Sequence, residues 1–197
     1  MTTLLAFDSS GNHLVVGLKA HNKVYSFNQP APQQHAQLIL PTIQAILQQA
    51  QVTLGGCDAI AVGCGPGSFM GVRIAVATAQ GLGYGCEKPV IVLSSLQIVA
   101  QSIYRRTQQK KIVVSCDARK NEFYWGIFTL QEGIMVTAEE KLSARDLIVA
   151  ADDVPIYQDE KMDVAALLEL AEYYFARGQF QNALAVAPIY LRNDVTG

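Results

Sequence analysis

Two aspartates, Asp8 and Asp117, each close an apolar run, LLAFD and VVSCD, and they lie 109 residues apart. A carboxylate at the end of a buried strand can position a divalent cation, or it can cap its own turn through an Asx bond. The windows around the two align: LLAFDSSGNHLVVGL lies over VVSCDARKNEFYWGI, which also places Asn12 on Asn121 and Gly17 on Gly126. A strand, a tight turn and a second strand with glycine in mid-run, used twice, reads as a duplicated sheet-opening unit. Ser9, Ser10 and Gly11 follow the first aspartate and can bring backbone N–H groups to an anion. Ala118, Arg119 and Lys120 follow the second, with no glycine to supply the positive φ of a phosphate nest. Arg119 would stand at the mouth of a cleft between the two units, free for a nucleotide or a partner carboxylate, or held in a local ion pair with Glu122.

The second segment with chemical promise is GPGSFMGVRIAVATAQGLGYG, residues 65–85. It sits between a strand pattern and a helix pattern, where phosphate loops occur, and Ser68 is placed to cap the helix. It is not a Walker loop, because no lysine follows until Lys88 and that loop needs one at the β and γ phosphates. Gly71, Ala75, Ala79 and Gly83 recur every four residues, a face with almost no side chain on which another helix can approach closely. Each interior glycine costs a helix about 1 kcal/mol relative to alanine, so the row needs a packing reason. The expectation is subunit association through this helix and the one at residues 34–51, with Leu38, Ile39, Ile43, Gly71, Ile74, Ala75, Thr78, Ala79 and Gly83 as its residues.

Other chemistries find little support. The histidines are His13, His21 and His35, with no HxxxH pair or HExxH helix for a metallopeptidase. No GxSxG elbow occurs, and Ser68 has no histidine nearby in sequence to act as its base. His35 reads as an N-terminal helix residue or an interface donor.

Short strands are expected at residues 4–7, 13–19 and 24–27, an antiparallel opening, followed by a helix at 34–51 where Leu38, Ile39, Ile43, Ile46, Leu47 and Ala50 keep helical spacing. Strand and helix then alternate through 59–62, 70–84, 90–93 and 95–104, as in a parallel half-sheet. The basic stretch RRTQQKK at 105–111 reads as a solvated connection between lobes. Beyond it come strands at 112–116 and 122–129, a hairpin near Glu132 and Gly133, and a helix at 164–176. The division expected is residues 1–104 and a smaller lobe at 105–197, whose last helix packs back on the first lobe.

With 197 residues, half of them apolar, and a net charge of -2, the chain can bury a real core but does not have the charge to grip a nucleic-acid backbone alone. Cys57, Cys64, Cys86 and Cys116 show no CxxC spacing and read as reduced thiols. The amino terminus has no basic flank, so a cytoplasmic protein is expected.

A duplicated lobe with an aspartate after each first strand resembles the actin-like group (ASKHA, ribonuclease H-like), an α/β fold of two lobes with mixed sheets flanked by helices. In that group the two hairpins hold the phosphates of ATP. AFDSS, HAQLILP at 35–41, GPGSFMGVRIAVATAQGL at 65–82, DARKNEFYW at 117–125 and PIYLRN at 188–193 occur in one order, and together they resemble the TsaB (YeaZ) family. The resemblance implies a non-catalytic subunit that pairs with its paralogue TsaD and receives the ATPase TsaE. It implies self-association when the paralogue is absent, and a role in threonylcarbamoyl modification of the adenosine beside the anticodon. tRNA would be reached through the complex. No cofactor would be held tightly by the isolated chain, and ATP or ADP would sit at the TsaB–TsaD boundary, near Asp8, Ser9 and Arg119. Two departures from the family pattern are Met70, where threonine is usual, and a shortened region at 155–163. A self-sufficient actin-like ATPase or kinase with Asp8 and Asp117 holding Mg-ATP, or a glycoprotease-like peptidase, are the competing readings.

Overall fold

The computed structural model describes residues 2–150 and 153–192. Asn193, the last residue of the PIYLRN motif, lies outside them. The first sheet is built from β1 (Leu4–Asp8), β2 (His13–Ala20), β3 (Lys23–Pro30), β4 (Ala59–Gly63) and β5 (Val90–Leu93), in the order β3-β2-β1-β4-β5. The first three pair antiparallel, whereas β1, β4 and β5 run parallel. The parallel connections are carried by α1 (His35–Ala50) and α2 (Phe69–Gly85).

The two-residue period of β1 divides the core. Leu5 and Phe7 face α1 and α2, in a cluster with Ile39, Ile43, Val72, Ala75 and Ala79. Leu4 and Ala6 face the other way, in a cluster with Val164, Leu167, Leu168 and Ala171. These last residues belong to α4 (Val164–Ala176), which therefore lies on the first sheet although it comes late in the chain. Gly17 permits this approach: a Cβ there would be 2.6 Å from Val164 Cγ1.

The second sheet contains β6 (Lys111–Asp117), β7 (Glu122–Gln131), β8 (Ile134–Val136), β9 (Glu140–Ala144) and β10 (Ile156–Gln158), ordered β10-β6-β7-β8 with β9 also on β7. Between the sheets runs α3 (Ser95–Thr107), whose Leu96, Val99, Ala100 and Ile103 pack on Ile112, Val114, Phe128 and Met135. This helix continues through the boundary expected at residue 104. Arg105 and Arg106 are its last turn, exposed as expected but helical and paired: Arg105 meets Asp163 at 3.3 Å and Glu169 at 3.1 Å, and Arg106 meets Glu160 at 3.0 Å.

The duplicated unit is present with one correction. Asp8 and Asp117 end equivalent strands, and each accepts the backbone N–H two residues on at 2.7 Å. Asp8 pairs with Val15, however, and Asp117 with Phe123, so the second hairpin is slipped by one residue relative to the first. The mid-strand glycines are thus not equivalents, since Gly17 opposes Ala6 and Gly126 opposes Val114. The second turn takes up the difference in three consecutive left-handed residues, Arg119, Lys120 and Asn121, at φ 65°, 56° and 60°. A one-residue slip exchanges the faces of a strand, which places Trp125 where Gly17 stands in the first hairpin.

Candidate functional site

The first hairpin turn, one of the two expected to face phosphate, meets the end of β4 in a corner packed with the chain's own backbone. Asp8 is fully buried. Its Oδ1 accepts from the backbone N–H and the hydroxyl of Ser10, both at 2.7 Å, and its Oδ2 accepts from the Ser95 hydroxyl at 2.7 Å. Burial raises the Asp8 pKa, against the lowering effect of the hydrogen bonds from Ser95 and Ser10 and of the nearby His35 charge. Ser95 in turn accepts from the Gly65 N–H at 3.1 Å, tying the loop before α2 to the first turn of α3.

The glycines of the central motif explain how the corner closes. Gly65 has φ +95°, open to glycine and costly for other residues. A Cβ on Gly63 would fall 1.7 Å from Asp8 Oδ2, one on Gly67 2.7 Å from the Ser10 carbonyl oxygen, and one on Gly71 2.1 Å from that of Ser9. The Ser9 hydroxyl donates to the Gly71 carbonyl at 2.8 Å, and the Ser68 N–H donates to the Ser10 carbonyl at 2.7 Å. The expectation that Asp8 and Ser9 contact a nucleotide is therefore corrected: both are sealed, with their polar atoms used internally. Ser68 also departs from expectation, since it occupies the N-cap position of α2 without a side-chain cap bond.

The docking helix needs a second correction. Gly71, Ala75, Ala79 and Gly83 are all buried, with Gly83 against Val90 and Ala183. The row of small residues faces this chain's own sheet. Ile39 and Ile43, on α1, are core residues as well. Of the expected interface residues, Leu38, Ile74 and Thr78 are half-buried at the edge of the surface. Helical geometry turns a different row outward, Ala77, Gly81 and Gly85, and neither of these glycines has an atom within 4 Å of an added Cβ. Beside that row, Leu40, Gln44, Leu47, Gln48 and Leu82 line a cleft between the helices of about 360 Å³.

At the second turn, Arg119 is exposed; the Glu122 N–H closes the turn by donating to the Arg119 carbonyl at 3.1 Å, while the Glu122 carboxylate pairs with Arg192 at 2.7 Å and not with the Arg119 side chain. Arg192 also donates to the Ala118 carbonyl at 3.1 Å, so the PIYLRN motif braces the turn that presents Arg119. Asp117 is exposed, unlike Asp8, and the two carboxylates do not form a matched pair. Between the sheets Ser94 caps α3 and donates its hydroxyl to Glu140. Burial pushes the Glu140 carboxyl up to about 6, against that hydrogen bond. Burial likewise pushes the thiols of Cys64 and Cys116 up to about 12, and that of Cys57 to about 11. His35 opens α1, buried, and its Nε2 has no hydrogen-bond partner among the described residues.

Sequence reasoning missed Ser95 as the partner of Asp8 and Glu140 as the partner of Ser94, contacts across 87 and 46 residues of chain. The inward face of α2 did carry a signal: Val72 and Val76 stand beside Gly71, Ala75 and Ala79, an apolar stripe at core spacing.

Two mixed sheets flanked by helices, opened by a repeated strand–turn–strand unit, define a class: an actin-like α/β fold. A family profile described as "TsaD: tRNA N6-adenosine threonylcarbamoyltransferase" matches residues 28–173. The chain is 36% identical over 220 residues to the Escherichia coli "tRNA threonylcarbamoyladenosine biosynthesis protein TsaB", covering 98% of this chain and 95% of that one. The Haemophilus influenzae protein of the same name is 33% identical over 225 residues, with the same coverage. The solved structure "YeaZ from Pseudomonas aeruginosa" superposes with a TM-score of 0.92 at 34% identity, over 97% of this chain and all of that one. The chain belongs to the TsaB (YeaZ) family.

Proposed function

We propose that the chain acts in tRNA threonylcarbamoyladenosine biosynthesis as a non-catalytic subunit, pairing with a TsaD-type paralogue through the outward faces of α1 and α2. The observation that carries the non-catalytic reading is the Asp8 corner, where Ser9, Ser10 and Ser95 and the close-packed Gly65–Gly71 loop fill the space a phosphate would need. The exposed row Ala77, Gly81 and Gly85 beside Leu40, which is 52% exposed, supports the docking surface, because small residues let a partner helix approach closely. TsaE docks on the pair, a second copy takes the same surface when the paralogue is absent, and tRNA is met through the complex. ATP or ADP at the subunit boundary would find Arg119, on the turn that Arg192 braces. The compartment is the cytoplasm; no described helix is long and apolar enough to cross a membrane.

The test is co-purification of the full chain with the host's TsaD-family protein, together with the threonylcarbamoyladenosine content of tRNA in a strain lacking the chain. Leu40→Asp combined with Gly81→Arg is expected to abolish pairing and the modification while leaving the melting curve of the isolated chain within a few degrees of wild type. Pairing that survives both changes places the interface elsewhere. ATP turnover by the isolated chain would overturn the non-catalytic reading.

A further inference from the structure

At the first turn of α2 the outward side is occupied by large residues. Phe69 is 42% exposed, Met70 61% and Tyr190 49%, and Arg73 stands among them. The Arg73 guanidinium lies 3.4 Å over the centre of the Phe69 ring and 5.8 Å from that of Tyr190, and its Nε donates to the Tyr190 hydroxyl at 2.9 Å. A long side chain is thus held in one place by stacking on one ring and a hydrogen bond to another. Tyr190 is itself fixed, because the segment that carries it is tied down on both sides. The Ile189 N–H donates to the Cys64 carbonyl at 2.7 Å, Gln80 donates to the Val186 carbonyl at 2.8 Å, and Arg192 pairs with Glu122 at 2.7 Å.

With Nε used, both terminal nitrogens of Arg73 remain, and among the described residues no carboxylate lies within ion-pair distance of them. Neither nitrogen makes a hydrogen bond within the described residues. The terminal edge of a guanidinium presents two parallel donors that match a carboxylate. Its surroundings select the kind of partner. Three exposed apolar or aromatic side chains around one immobilised arginine are the composition of a protein-interface anchor, whereas a nucleic-acid surface would place several cations together.

We propose that Arg73, framed by Phe69, Met70 and Tyr190, is the charged anchor of the docking surface and receives an Asp or Glu side chain of the partner protein. The inference rests on the docking reading above and adds the residue and the chemistry that set its specificity. Holding the arginine in place beforehand removes much of the ordering cost that a free arginine would meet on binding.

The experiment compares the affinity of the full chain for the purified TsaD-family protein across variants, with thermal melts as the folding control. Arg73→Glu is expected to weaken pairing by about a hundredfold or more, and Arg73→Lys by about tenfold, because lysine keeps the charge and loses the fork and the stack. One partner carboxylate changed to arginine should restore pairing to Arg73→Glu alone. Wild-type affinity for Arg73→Glu overturns the proposal, and if Leu40→Asp still breaks pairing the docking reading stands without it. Absence of pairing by the wild-type chain overturns both. Unchanged pairing with lost tRNA binding by the assembled complex reassigns the patch to RNA and also overturns the proposal.

Discussion

The Cβ that alanine would add at Gly71 falls 2.1 Å from the carbonyl oxygen of Ser9, and the Ser9 hydroxyl donates back to the Gly71 carbonyl at 2.8 Å. The start of α2 is thereby locked onto the turn after β1. The contact is backbone against backbone, so neither side can yield by rotating a side chain. Gly71→Ala should therefore destabilise the isolated chain by about 3 kcal/mol, the upper range for overpacking a fixed site. A urea melt should show a lower midpoint with an unchanged slope.

On the same helix Gly81 predicts the opposite. It is exposed, with nothing within 4 Å of an added Cβ. Gly81→Ala should stabilise the isolated chain by up to about 1 kcal/mol through helix propensity alone. Ala75→Leu, at a fully buried position, should cost about 3 kcal/mol. The pair of melts separates an inward row from an outward one without any partner present.

Asp8 offers a test of the sealed corner. Asp8→Asn preserves shape and can keep an acceptor toward Ser10, so it should fold with a loss of about 1 kcal/mol. Asp8→Ala leaves the Ser10 N–H and two hydroxyls without their acceptor and should lose about 3 kcal/mol or more. Calorimetry with Mg-ATP should give no heat of binding for wild type or Asp8→Asn; saturable binding that Asp8→Asn removes would show the corner to be open.

Glu140 gives the pH dependence. Its folded pKa, about 6, lies above the ordinary 4.5, so between these values the native state holds more proton than the unfolded chain. Stability from this group is full below pH 4.5 and is lost as pH rises toward 6. The loss amounts to about 2 kcal/mol above pH 6. Glu140→Gln keeps an acceptor for the Ser94 hydroxyl and removes the titration. Its melting temperature relative to wild type should rise through that window and then level off.

Much of the architecture was legible because its signals are local. The helical spacing of Leu38, Ile39, Ile43 and Ile46 gave α1 within a residue of its ends at His35 and Ala50, and alternation with β-branched runs gave β4 and β5. The Asx turn at Asp8 was readable as well, since it is closed within two residues. The family motifs lie in sequence order, and order is a property of the chain alone.

Three things required the tertiary structure. Whether Asp8 is a ligand or a sealed acceptor depends on Ser95, 87 residues away, and sequence carries no distance between residues so far apart. Which row of small residues on α2 faces inward depends on where β1 places Ser9, since Gly71, Ala75 and Ala79 and the outward Ala77 and Gly81 have the same four-residue period. Periodicity fixes the faces of a helix relative to one another and leaves open which meets the core and which meets a partner. Arg73 is the third case: its type was visible, but its immobilisation needs Tyr190, brought back across 117 residues by the carboxyl-terminal segment. The sequence by itself determined the elements, their order and the family, because these follow from propensity and pattern. The tertiary structure decided burial and partnership, because both are set by what long-range packing brings within hydrogen-bonding and van der Waals reach.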